Sequence, residues 1–420
     1  MRERERKKKK EMAGQKRDEV MKIGEEQDIV IVGGGICGLA TALALHRKGI
    51  RSIVLERSET LRAVGVGILM QPNGWRALDQ LGVASKLRQT AIDISSGEFI
   101  TVDDGKRHEL ALGKGELRCL KRMDLIEALA EPLPANVVHL GCQVLSIILD
   151  PVTSYPILQL HDGSMIKAKI VIGCDGVNSI VSKFLGINSP KLFFRCATRG
   201  FTYYERGHNF DDQFRLYHSQ TVQLGQLTVT DKLVYWYLTR SLTSEDSGAS
   251  KKDPAYIKEA SMEAIKGFPE DMVEMIKLSE PKALYLTELR YRTPCDLLRA
   301  RLAKGAVVVA GDAMHAMCPF ISQGGGASLE DAVVLARCLS EKLMQAANQN
   351  QLGRKLMVAE ALDLYVKERR MRLFWLSLQT YLVGLTLDNT SKMKKVLGMI
   401  TLVLIFGDQK SHSDYDCGHL

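Results

Sequence analysis

The stretch "DIVIVGGGICGLATALALHRKGIRSIVLERS", residues 28–58, constrains the fold more tightly than any other part of the chain. Ile29 to Val32 is a short, wholly apolar run, as a strand buried on both faces requires. Gly33-x-Gly35-x-x-Gly38 follows, and Ile36 to Lys48 places leucines and small alanines on a helix that can lie close to a sheet. Gly49 closes that helix, and Ser52 to Leu55 forms a second strand that ends in Glu56. An acid about 20 residues beyond such glycines completes a dinucleotide-binding βαβ unit. Gly33 allows the tight turn, Gly35 lets backbone approach a pyrophosphate, and Gly38 lets the helix pack on the sheet. Glu56 can accept from ribose hydroxyls, and Arg57 beside it joins the cofactor-binding set.

The chain has 420 residues, more than one hydrophobic core usually serves, so two domains are expected. Strands and helices alternate again around 120–130, 137–149 and 169–173, whereas 192–240 alternates apolar and polar residues as antiparallel sheet does. The expected fold is α/β: a Rossmann-type nucleotide domain with an inserted antiparallel β-sheet domain and a helical C-terminus. Residues 28–85, 120–190 and 290–345 make the discontinuous nucleotide domain. Residues 86–119 and 191–289 make the inserted domain, and 346–420 the C-terminal helices.

Composition narrows the function classes. The net charge of +8 is concentrated in "MRERERKKKK", and residues 1–27 read as a solvated, disordered tail. No aromatic residue is interleaved there for base stacking, so no nucleic-acid partner is expected. The tail is too acidic for a transit peptide and lacks the apolar core of a secretory signal, which points to the cytoplasm. The nine cysteines show no C-x-x-C pair and read as reduced core residues, Cys37, Cys142 and Cys174 among them. No metal cluster and no Ser–His–Asp set is visible. "VLGMITLVLIF", 396–406, is shorter than the ~20 residues of a bilayer span. On length alone it is expected to pack on the body. Lys392, Lys394 and Lys395 ahead of it make weak interfacial membrane contact through 396–406 the alternative.

A second strand end identifies the dinucleotide. "AVVVA" runs into Gly311-Asp312, and "CPFISQGGGASLEDA" follows. NAD and FAD share adenosine and pyrophosphate, but only a flavin has a ribityl chain for the Asp312 carboxylate. The glycines Gly324 and Gly325 open a helix whose N–H groups can face the flavin ring edge, where the reduced ring carries negative charge. Asp175-Gly176, at the end of "KIVIGC", is by itself a turn signal. His315 reads as a hydrogen-bonded loop histidine rather than an acid–base group.

These three motifs, in this order, resemble the class A FAD-dependent monooxygenases, the para-hydroxybenzoate hydroxylase-like enzymes. The stretches "QPNGWRALDQLGV", "EDAVVLARCL" and "YDCGHL" are most similar to the plant salicylate hydroxylase-like and zeaxanthin epoxidase-like members. The resemblance implies FAD, with NADPH or NADH as co-substrate, and transfer of one atom of O2 to a small organic, aromatic substrate through a flavin C4a-hydroperoxide. It implies that Arg122 contacts FAD, that the Val144 backbone meets adenine and that Asp175 links FAD binding to NAD(P)H use. It also sets Asp312 on the ribityl chain and Pro319 in the flavin-facing loop. Tyr235 and Tyr237, on one face of "KLVYWYLT", are the candidate substrate wall, although period two leaves open which face meets the flavin. The chemistry belongs to the flavin, so no side chain is assigned a catalytic role. Two departures stand out. Ser182 occupies the place of the family's arginine after Asp-Gly, and Ser322 that of the first glycine in the flavin loop. If that glycine needs positive φ, a serine strains the loop. Isoprenoid epoxidation and a turnover-deficient FAD-binding regulator are the competing readings.

Overall fold

The motif-bearing strands are short and apolar, and they lie side by side. The computed structural model describes residues 26–61, 67–110, 115–246, 248, 253–387, 392–406 and 411–420. In it β1 (Gln27–Val32) leads to α1 (Ile36–Arg47) and β2 (Ile53–Leu55). Further along come β3 (Met165–Gly173), β4 (Lys191–Tyr203), β5 (Leu233–Ser241) and β6 (Val307–Val309). Three long helices end the chain: α2 (Gly324–Gln345), α3 (Gln351–Thr386) and α4 (Lys392–Ile405).

Strands β6, β3, β1 and β2 are parallel neighbours in an eight-stranded sheet, with Val171 level with both Val30 and Val307. Val30, Val171 and Val307 are fully buried, which is why these strands read as apolar runs rather than alternations. Parallel strands end on one edge. The loops after β1, β3 and β6 therefore emerge together, where open α/β sheets bind ligands. Helix α2 packs on α1 behind that edge. All three glycines 324–326 lie inside the first turn of α2 rather than in a loop before it.

A seven-stranded sheet holds β4 and β5 as antiparallel neighbours, with Arg199 opposite Tyr237 and Phe201 opposite Tyr235. Period two divides β5. Val234, Trp236 and Leu238 are buried with Ile257, Met272, Met275 and Ile276 of helices Pro254–Ala264 and Glu270–Leu278. Tyr235 faces the other way, into a cluster with Cys119, Phe214 and Leu227. Phe193 and Ala197 of β4 share that second face and pack with Cys318 and Phe320. Helices cover one face of the sheet; the face carrying the tyrosines turns toward the loop after β6.

The apolar run near the C-terminus departs from the length-based expectation. It forms α4, but among its described side chains only Leu402 is buried; Gly398 is the other buried position. Gly398 lies against Leu382, Leu385 and Thr386 of α3. A run too short to span a bilayer need not have protein on every side. No helix among the described residues is long and apolar enough to cross a membrane. The charged tail, 1–25, lies outside the described residues.

Candidate functional site

At the first strand end the glycines are required by contact. Gly33 has φ 104°, and a Cβ there would fall 2.5 Å from the Cys174 carbonyl oxygen. A Cβ at Gly38 would fall 1.9 Å from the Gly33 carbonyl oxygen, so α1 sits directly on the turn. Nothing lies within 4 Å of a Cβ at Gly35, which leaves its backbone open to a ligand. The Glu56 carboxylate accepts from Gly34 N at 2.7 Å and Ser58 N at 2.9 Å. Those bonds orient it and leave lone pairs for further donors. Arg57 is exposed at the end of β2, and Val144 is buried at the start of strand Val144–Leu149.

Asp175, after β3, lies against Gly33. Its Oδ2 accepts from Ile180 N at 2.6 Å, while Oδ1 is buried with no hydrogen-bond partner among the described residues. Burial raises its pKa, outweighing these hydrogen bonds. Ser182 has a definite job: its Oγ donates to the Ala313 carbonyl oxygen at 2.7 Å, tying this segment to the turn after β6. The Arg292 guanidinium donates to the same oxygen at 3.2 Å. A guanidinium therefore reaches this turn from elsewhere in the chain.

Gly311 has φ 59°, and a Cβ there would meet Cys37 of α1 at 2.8 Å. Asp312 follows with an exposed carboxylate whose charge acts on Arg122. Arg122 is half-buried, and desolvation lowers its pKa. Its Nε is buried with no partner, and Arg122 forms no ion pair among the described residues. An open glycine turn, an orphaned guanidinium nitrogen and an exposed carboxylate are the donor set that an adenine dinucleotide with a polyol chain would satisfy.

A buried charge network behind the turn escaped sequence reasoning. His315 is fully buried, with Nε2 2.7 Å from Asp331 Oδ2. Gly311 N donates to the same oxygen at 2.8 Å. Arg369 of α3 joins Asp331 at 2.7 Å and Glu330 at 2.6 Å, and Arg372 joins Glu330 at 3.0 Å. Burial pushes the Asp331 carboxyl up, but His315 and Arg369 overcome it and bring the pKa down to about 2. Asn73 bridges Glu330 and Gln323 at 2.6 and 2.8 Å. Gln71 donates to Ile321 O and accepts from Gln323, and His412 of the C-terminal segment contacts the same Gln71 oxygen. "LED" within an apolar helix was the available signal, because two adjacent acids at buried helical positions require cations.

Ser322 answers the question its position raised. Its φ is 53° and ψ 32°, the left-handed region that glycine adopts without strain. Replacing Ser322 by glycine removes that strain while adding unfolded-state freedom. The net gain is expected to be on the order of 0.5–1 kcal/mol, seen as a higher Tm in a thermal melt. An unchanged or lower Tm would remove the strain argument.

On the sheet side, burial pushes the Tyr235 phenol up to about 12 and raises Tyr237 further. Tyr235 lies against Gly67, where a Cβ would fall 2.6 Å from its ring. Arg199, opposite Tyr237, acts electrostatically on both tyrosines and on Arg122. Its guanidinium donates to Thr287 Oγ1 at 3.4 Å and makes no ion pair among the described residues. Sequence reasoning missed Arg199, since a lone arginine in an alternating strand carries no signal of what it faces. No group able to hold a metal ion occurs among the described residues.

Residues 26–370 match the family described as FAD binding domain. The chain is 45% identical to Monooxygenase 1 of Arabidopsis thaliana over 401 residues, covering 94% of this chain and all of that one. It is 30% identical to the 3-amino-4-hydroxybenzoate 2-monooxygenase of Streptomyces cremeus, covering 75% and 79%. In fold it is similar to Klebsiella pneumoniae HpxO, whose crystal structure holds FAD and uric acid. The TM-score is 0.74 at 20% identity, covering 92% and 96%.

Proposed function

The chain belongs to the FAD-dependent monooxygenases, and from that premise we propose that it hydroxylates a small aromatic acid. It is an oxidoreductase whose FAD, when bound, supplies the redox and oxygen chemistry with NAD(P)H and O2 as co-substrates. The observation that carries the substrate class is Arg199. A guanidinium without an ion pair among the described residues, beside the buried Tyr235, the half-buried Tyr237 and a second cation, suits a planar anion with an apolar ring.

In this reading Gly33, Gly35, Gly38, Glu56, Arg57 and Val144 hold the adenosine half of FAD. Arg122 neutralises the pyrophosphate. Asp312 binds the ribityl hydroxyls, and Pro319, Gly324 and Gly325 border the ring. Asp175 stands at the junction where NAD(P)H would approach. Tyr235 and Tyr237 line the substrate side and exclude water. Membership of the eight- and seven-stranded sheets supports assigning most of 28–85, 120–190 and 290–345 to FAD binding and most of 86–119 and 191–289 to substrate binding, while a three-stranded sheet of 67–70, 92–93 and 118–121 joins the two.

The test is anaerobic bleaching of the flavin absorbance by NADPH or NADH, with aromatic acids and the matching neutral carboxamides as effectors. The acids are expected to accelerate bleaching and the carboxamides not. Arg199→Gln is expected to raise the half-saturating acid concentration roughly 10- to 100-fold, the loss of one charged hydrogen-bonded pair. It should leave carboxamide binding unchanged. Equal responses to acids and carboxamides, or an unaffected R199Q, would refute the assignment of an anionic substrate.

A further inference from the structure

We propose that the outward face of α4 docks on an anionic lipid bilayer surface, independently of the substrate reading. Helix α4 is 14 residues long and turns most of its apolar side chains to solvent. Met393 and Leu404 are each 79% exposed, Val403 65% and Leu397 62%, with Val396 and Ile400 half exposed. At 100° per residue these six side chains fall on one continuous arc. The opposite side, at Gly398 and Leu402, rests on α3. The protein body therefore occupies the place that the polar face of a free interfacial helix would take. The apolar surface continues onto α3, where Trp375 is 43% exposed and meets the Phe406 ring edge-on at 6.0 Å. Tryptophan favours the boundary between headgroups and hydrocarbon.

Charge chooses the occupant. The sequence places Lys392, Lys394 and Lys395 in the first turn of α4 and has no acid between Asp388 and Asp408. That balance suits an anionic surface.

The test uses the full-length FAD-loaded protein with phosphatidylcholine vesicles, with and without about 30% phosphatidylserine, in a co-sedimentation assay. Wild type is expected to pellet with the anionic vesicles, less so with neutral ones, and to be partly released by salt. The Leu397→Asp, Leu404→Asp double variant changes only exposed positions, so unchanged flavin content checks its folding. Its vesicle affinity should drop on the order of a hundredfold, from two lost leucine burials. Wild type left in the supernatant with both vesicles, or a variant that binds as well as wild type, overturns the proposal. A wild-type dimer in sedimentation velocity that the variant dissolves, without vesicle binding, also overturns it and assigns the face to a second copy of the chain.

Discussion

Asp312→Ala is expected to purify nearly colourless while keeping its fold. The carboxylate is exposed at the end of β6, so its removal opens no cavity. The backbone role of residue 312, accepting from Ala316 N, survives the substitution. On the proposed assignment, what is lost is a charged acceptor for the hydroxyls of the FAD ribityl chain. Each charged hydrogen bond contributes about 1.5–3 kcal/mol, so losing two weakens FAD retention by two to four orders of magnitude. The ratio of flavin to protein absorbance, a titration with added FAD and a far-UV circular dichroism spectrum check this together. An Asp312→Ala protein that purifies with full flavin content would show that this carboxylate does not hold the cofactor.

Arg369→Ala should cost the fold a large part of its stability. Arg369, Glu330 and Asp331 are all fully buried, and removing the guanidinium takes away the cation shared by both carboxylates, leaving Glu330 to Arg372 and Asp331 to His315. Breaking such a buried set costs about 3–5 kcal/mol. The pH dependence carries the mechanism. In the wild type, Asp331 titrates at about 2, below its unfolded value near 3.8. Its stabilising contribution is therefore fully present above that unfolded value and is lost as pH falls through about 2. Without Arg369 both carboxyls shift upward, so the variant regains part of its deficit on going from pH 7 to pH 5. Urea unfolding midpoints at the two pH values test this. A deficit that is equal or larger at pH 5 would mean that the loss comes from packing rather than charge. This network also binds Gly311 N and the Ala327 carbonyl, so it ties α3 to the turn after β6 and to the first turn of α2.

The three strand-end motifs were legible because their signals are local. A glycine forced by backbone contact, as at Gly33 and Gly38, or an acid closing an apolar run, as at Asp312, is encoded within a few residues. The same locality flagged Ser322, and its left-handed backbone conformation makes the strain real. Arg199 and Arg369 were not legible. Each is one arginine among many, and its meaning comes from partners tens of positions away, or from having no ion-pair partner among the described residues.

The sequence by itself determined the class of fold, the FAD-binding βαβ unit and the order in which the motifs follow one another, because these rest on periodicity and on backbone conformations that only certain residues permit. Only the tertiary structure decided which face of β5 turns toward the loop after β6, that Ser182 braces the Asp312 turn, and that α4 lies on the body with its apolar side outward. Those outcomes depend on which surfaces remain uncovered once all elements have packed, and no local pattern of residues carries that information.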